Sequence, residues 1–121
     1  MTSEELKDRT FKFSLSILAV FRQLKSTDEG RIIGRQLLRS SSSVAANYRA
    51  ACRARSKPEF YAKLNIVLEE ADESLFWLEY AREGGILEKE LLSPYISESL
   101  ELVKIFSASR SKMRQDKSQN Q

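Results

Sequence analysis

The chain contains no histidine among its 121 residues. Its absence removes the commonest general base, the serine and cysteine triads and most transition-metal sites. A single cysteine, Cys52, allows no intramolecular disulfide and points to a reducing compartment. On the flank of a predicted helix it reads as a small packing residue rather than a reactive thiol. Four glycines and two prolines leave too few turn formers for an all-β protein. Gly30 and Gly34 lack the Gly-Lys-Ser/Thr or G-x-G-x-x-G context that cradles a phosphate. The longest apolar run, Phe13 to Phe21, is broken by Ser14 and Ser16 and is too short to span a bilayer. With Glu4, Glu5 and Asp8 before it and Arg22 after it, it also fails as a signal peptide. The expectation is a soluble cytoplasmic protein that is not an enzyme, with no cofactor, no metal and no membrane partner.

What the chain does contain is helix-forming periodicity. The first helix is predicted from about Ser3 to Lys25, with Thr2 and Glu5 spaced as a capping box. The second runs from about Asp28 to Arg55. The third starts at Ser56-Lys57-Pro58-Glu59, with Ser56 as N-cap and Pro58 in the first turn, and stops at Gly84-Gly85. The fourth begins near Glu88 or afresh at Ser93-Pro94 and reaches about Ser111. Short connections between four helices predict an all-α fold, an antiparallel up-down-up-down four-helix bundle over residues 1–112, with a disordered polar tail over 113–121. The predicted core is Leu6, Phe13, Ile17, Val20 and Leu24; the stripe Ile33, Leu37, Val44, Tyr48 and Ala51; Phe60, Leu64, Val67, Ala71, Leu75 and Leu78; and Leu92, Ile96 and Val103. Serine is a mediocre helix former, so the run Ser40 to Ser43 needs a reason. Close approach of a neighbouring helix is one, and a phosphate or RNA backbone at hydroxyl distance is the other.

Charge and greasiness are both unevenly placed. At ~100° per residue, Arg31, Arg35, Arg39, Arg49 and Arg53 share the face of the second helix opposite its core stripe, and Arg55 and Lys57 follow. The net charge of only +3 conceals this basic face, because the segment from Glu59 to Glu83 holds seven acids against Lys63 and Arg82. Beside its core seam the first helix carries Phe11, Leu15, Leu18 and Phe21, an apolar arc of roughly 220° where a bundle core needs about 100°. The third helix repeats the excess on its back face with Ile66, Phe76, Trp77 and Tyr80, interleaved with Glu69 and Glu73. Surplus of this kind predicts self-association. Glu70 with Glu73, or Glu69 with Asp72, has the spacing of a carboxylate-bridged di-iron bundle, but the Glu-x-x-His partners of such a site are missing.

The stretch from Gln36 through Arg39, Ser43 and Asn47, continuing through Arg53, Ser56, Lys57 and Phe60 to Glu73, resembles the bacterial four-helix-bundle family of 23S rRNA intervening-sequence proteins. It is also similar to the accessory proteins of diversity-generating retroelements. After the family's Asn comes Ile-Ala-Glu-Gly, whereas Asn47 is followed by Tyr48-Arg49-Ala50-Ala51, so any role of that Glu is absent here. The resemblance implies a homopentameric ring or barrel of four-helix protomers. Through the retroelement relatives it also implies a basic surface that engages nucleic acid and a reverse transcriptase.

Two functional readings follow. In the first, a homo-oligomeric scaffold binds RNA or DNA through phosphate contacts to Arg31, Arg35, Arg49, Arg53, Arg55 and Lys57. In the second, a protein-interaction adaptor uses its arginines for intersubunit salt bridges to Glu69, Asp72, Glu73 and Glu79, and nucleic acid has no role. In either, Arg39 and Asn47 are expected to make structural contacts, and Phe11, Leu15, Leu18, Ile66, Glu69, Glu73, Phe76, Trp77 and Tyr80 to lie at an oligomer interface.

Overall fold

A computed structural model describes residues 1–119, with side-chain surroundings for 1–116. Four helices form in order: α1 (Ser3–Leu24), α2 (Asp28–Ala51), α3 (Lys57–Glu83) and α4 (Lys89–Gln119). Each of the first three starts on a hydroxyl cap: Thr2 accepts from the Glu5 amide, Thr27 from Gly30 and Ser56 from Glu59. Glu59 reaches past Ser56 to accept from the Arg55 amide at 3.1 Å, which draws the turn tight before α3. The α3 stop uses only one of its two glycines in the left-handed region, Gly85 at φ 66°; Gly84 keeps a helical conformation.

Contacts link α1 to α2, α2 to α3, α3 to α4 and, most sparsely, α1 to α4. Among the described residues the backbones of α1 and α3 do not come close, and neither do those of α2 and α4, which meet through side chains such as Tyr48 and Phe106. The helices therefore stand at the corners of a square, with α1 diagonal to α3. The α1–α2 corner is especially close. A Cβ on Gly30 would lie 1.9 Å from the Leu24 carbonyl oxygen, so only glycine lets α2 start beneath the end of α1.

The predicted core seam of α1 and the stripe of α2 are all buried. Two of the serines explain themselves: Ser40 and Ser41 are fully buried, and the Ser74 hydroxyl lies 2.9 Å from both the Ser40 hydroxyl and the Glu70 carbonyl. Ser40 and Ser74 bring α2 and α3 together here, and each hydroxyl, Ser41 included through the Leu38 carbonyl, keeps a partner.

Four expectations need correction. The second helix ends at Ala51 rather than Arg55, because the Arg53 and Ala54 amides fold back onto the Ala50 and Ala51 carbonyls to make the reversal that Ser56 then caps. Cys52 is the exposed C-cap of α2, not a packing residue. In α3 Ser74 takes the buried position next to α2 and Leu75 is only half-buried. In α4 the core positions are Leu92, Ser99, Leu102 and Phe106, while Ile96 and Val103 sit half-buried at the flanks. Phe106 packs against the Tyr48 ring, with centroids 5.5 Å apart.

The fourth helix starts just after Glu88, its Leu91 and Leu92 amides bonded to the Glu88 carbonyl, so Pro94 is carried inside it. It also continues to Gln119, where a disordered tail from residue 113 was expected. Met113, one heptad beyond Phe106, packs against the core, and the Arg114 side chain donates to the Tyr61 hydroxyl at 2.8 Å, a contact that periodicity does not reveal. The tail expectation at residues 120–121 lies outside the described residues. No helix among the described residues is long and apolar enough to cross a membrane.

Candidate nucleic-acid interface

The basic residues divide into three groups. Arg31 is tied down at the start of α2, paired with Asp28 and donating to the Lys25 carbonyl at 3.2 Å. Arg39 crosses to α3, where Glu70 accepts at 2.9 Å and Glu73 accepts from the other terminal nitrogen. The Glu73 bond, with both carboxylates close by, holds the Arg39 guanidinium above its ordinary pKa. The third group is Arg35, Arg49, Arg53, Arg55 and Lys57, all exposed and, among the described residues, without an ion pair. Arg35 stands alone on mid-α2. Arg49 occupies the last turn of α2, Arg53 and Arg55 the turn, and Lys57 the first residue of α3, so four cations gather at one end of the bundle.

Arg49 and Arg53 flank a groove of about 610 Å³ between α1 and α2, floored by Ser14, Ser42, Ala45 and Ala46. The acids at the same mouth are paired within α1, Glu4 with Lys7 at 3.0 Å and Asp8 with Lys12 at 2.8 Å. The local field is therefore positive.

The apolar surplus is out in solvent. Phe11 is 56% and Leu15 49% exposed on α1, and Phe76 and Tyr80 are each 52% exposed on α3. Leu18 and Trp77 are half-buried and Ile66 is exposed. Phe76, Trp77 and Tyr80 form a continuous aromatic surface, with centroids 4.9 to 5.8 Å apart. The Trp77 indole donates to Glu73 at 3.2 Å, so Glu73 serves Arg39 and Trp77 within one protomer, while Glu69 stays exposed.

The residues that carry the family resemblance build the protomer. Arg39 and Glu73 join α2 to α3, Asn47 donates to the Ser43 carbonyl and hydroxyl at 2.9 Å, Ser56 caps α3 and Phe60 packs on the core. Glu70 and Glu73 both face Arg39, and among the described residues no group of three or more acidic or cysteine side chains is placed to hold a metal ion. Sequence reading missed Ile32, exposed amid the basic face of α2, and the bidentate bridge from Arg9 on α1 to Glu98 on α4, at 2.8 and 2.6 Å. Ile32 could have been found from its helical position. Arg9 and Glu98 are too distant in sequence for any local signal.

Arg39→Glu is expected to lower protomer stability by about 1 to 2 kcal/mol, since it sets a third carboxylate against Glu70 and Glu73 where a half-exposed, partly screened bridge had been. Thermal unfolding at one fixed protein concentration would register a drop of several degrees, and Arg39→Met a smaller one.

These features define a class: an all-helical four-helix bundle with a cationic end and two exposed apolar faces. The model of the 23S rRNA-intervening sequence protein family matches residues 4–108, and the chain belongs to that family. A crystal structure at 1.70 Å of a protein of unknown function from the S23 ribosomal protein family of Bacteroides thetaiotaomicron VPI-5482 superimposes with a TM-score of 0.84. It is 30% identical over 92% of this chain and 99% of that one. Among curated proteins nothing matches.

Proposed function

We propose that the chain is a non-enzymatic scaffold that assembles head to tail into a homopentameric ring and binds RNA or DNA backbones through Arg49, Arg53, Arg55 and Lys57, with Arg35 as an outlying contact. The observation that carries this reading is the gathering of these cations at one end of the bundle without acidic partners. Phosphate contacts without base readout give affinity with little sequence preference, and ring symmetry multiplies a weak site.

The diagonal placement of α1 and α3 supports a ring. Their apolar faces point away from opposite corners, so a two-fold contact through one face leaves the other in water. Head-to-tail contact covers both, and closure leaves none exposed. Five is the count implied by the family resemblance. The adaptor reading is weakened at its own residues, because Arg39 and Glu73 already meet within one protomer. The reverse transcriptase implied by the retroelement relatives is not part of the proposal.

Fluorescence anisotropy with a labelled single-stranded RNA tests the reading. The expected slope of log affinity against log salt is about −3 for four phosphate contacts per protomer. Affinity unchanged between 50 and 200 mM salt, or no binding at ~50 mM, overturns it.

A further inference from the structure

A second concavity, of about 660 Å³, opens at the bundle end where α1 begins and α4 runs on past the core. Its walls come from all four helices: Leu6, Tyr48, Phe60, Leu64 and Met113. The size falls among those of small-molecule sites, and the lining is far more apolar than an empty surface recess requires. Burial pushes the Tyr48 phenol up to about 12, so this wall is neutral at any physiological pH.

The rim has the opposite character. Lys57 from the first turn of α3 and Lys112 from α4 stand on it, opposed by one acid, Asp116. Beside Tyr61, also on the lining, lie Arg114, which donates to the phenol oxygen, and Arg110, whose buried Nε has no hydrogen-bond partner. An apolar interior beneath a predominantly cationic mouth complements a molecule with a long hydrocarbon part and an anionic end. A nucleobase fits less well, because its edges need several hydrogen-bonding groups. The Ser109 hydroxyl on the lining is already engaged with the Ile105 carbonyl at 3.1 Å.

We propose that this cavity binds an anionic amphiphile, a single alkyl chain ending in a carboxylate or a phosphate, with the chain among Tyr48, Phe60, Leu64 and Met113 and the head group at Lys57 and Lys112. The cavity is separate from the α1–α2 groove and shares only Lys57 with the proposed phosphate contacts, so its alkyl-chain binding does not require nucleic acid. It also gives the extension of α4 beyond residue 112 a use, since Met113 and Asp116 help to enclose it.

Isothermal titration of the full chain with decanoate, decyl phosphate, decanol and adenosine monophosphate tests the proposal, with the two anions distinguishing a carboxylate from a phosphate head. At least one anion is expected to saturate a site, with decanol weaker by about fivefold or more, the scale of two exposed charge pairs. Ser109→Trp, which fills the cavity from its half-buried wall, is expected to weaken the anion by at least about tenfold. Lys112→Gln is expected to weaken it by about threefold.

The proposal is overturned if neither anion binds, if adenosine monophosphate binds more tightly than both, or if folded Ser109→Trp keeps wild-type affinity, which would place the chain on the exposed aromatic faces instead. Should Ser109→Trp fail to fold, nuclear Overhauser contacts from the bound alkyl chain to the Met113 methyl and the Tyr48 ring in the wild-type protein decide the matter, and their absence overturns it.

Discussion

Replacing Arg49 and Arg53 together by glutamate is expected to abolish RNA binding at physiological salt while leaving assembly and protomer stability close to wild type. The double variant changes the charge of the cationic end by four in every protomer, and phosphates that had been attracted are then repelled. Losing two contacts should lower the salt slope by about 1.4 for a single strand, and repeated reversal around a ring should bring the loss of affinity to at least about a hundredfold. Neither side chain has an acidic partner within the protomer, so no carboxylate is orphaned by the change. The remaining penalty is an acid in the last turn of α2, which opposes the helix dipole by about 0.5 kcal/mol. Anisotropy measures the binding and light scattering the assembly. If the oligomer dissociates while RNA affinity persists, these arginines belong to subunit contacts and the adaptor reading takes the place of the nucleic-acid one.

Arg39 could not serve in that experiment, and the reason shows what a sequence conveys. On a helical projection Arg39 belongs with Arg31, Arg35, Arg49 and Arg53. Only the packing of α3 against α2 separates it, by bringing Glu70 and Glu73 within reach. Periodicity places residues on a face, but it does not reveal which part of that face a neighbouring helix covers. The same logic divides the core. In α1 and α2 the apolar stripe has one phase, and Ile17, Leu37 and Val44 are fully buried where the spacing puts them.

In α4 apolar side chains surround the axis, from Leu91 and Tyr95 through Leu100 and Ile105, and no phase stands out. The choice of Leu102 and Phe106 over Val103 is then made by the partners, Tyr48 above all. In α3 a serine displaces Leu75 from the seam because Ser40 has drawn the backbones close. The cationic end was legible, because Arg49, Arg53, Arg55 and Lys57 adjoin the turn that Ser56 and Pro58 announce; only the end of α2 at Ala51 rather than Arg55 was not.

The head-to-tail ring makes a prediction that no symmetric dimer shares. Phe11→Asp spoils the α1 face and Phe76→Asp the α3 face, each at a side chain more than half exposed, so neither removes core packing. If every contact joins the α1 face of one protomer to the α3 face of the next, every contact within either variant alone contains one spoiled face, and each should run as a folded monomer at micromolar concentration. Mixed, the two variants still hold one intact α1 face and one intact α3 face between them. They should form a one-to-one heterodimer that cannot grow, because both outer faces of that dimer carry the aspartate. Native mass spectrometry of the mixture reads the stoichiometry directly. Isologous contacts give a different pattern, since each variant would keep a homodimer through its unspoiled face and mixing would create nothing new. A wild-type chain that is itself monomeric at micromolar concentration removes the ring altogether. In that case roughly half-exposed Phe11, Leu15, Phe76 and Tyr80 would have to be covered by a partner other than a second copy.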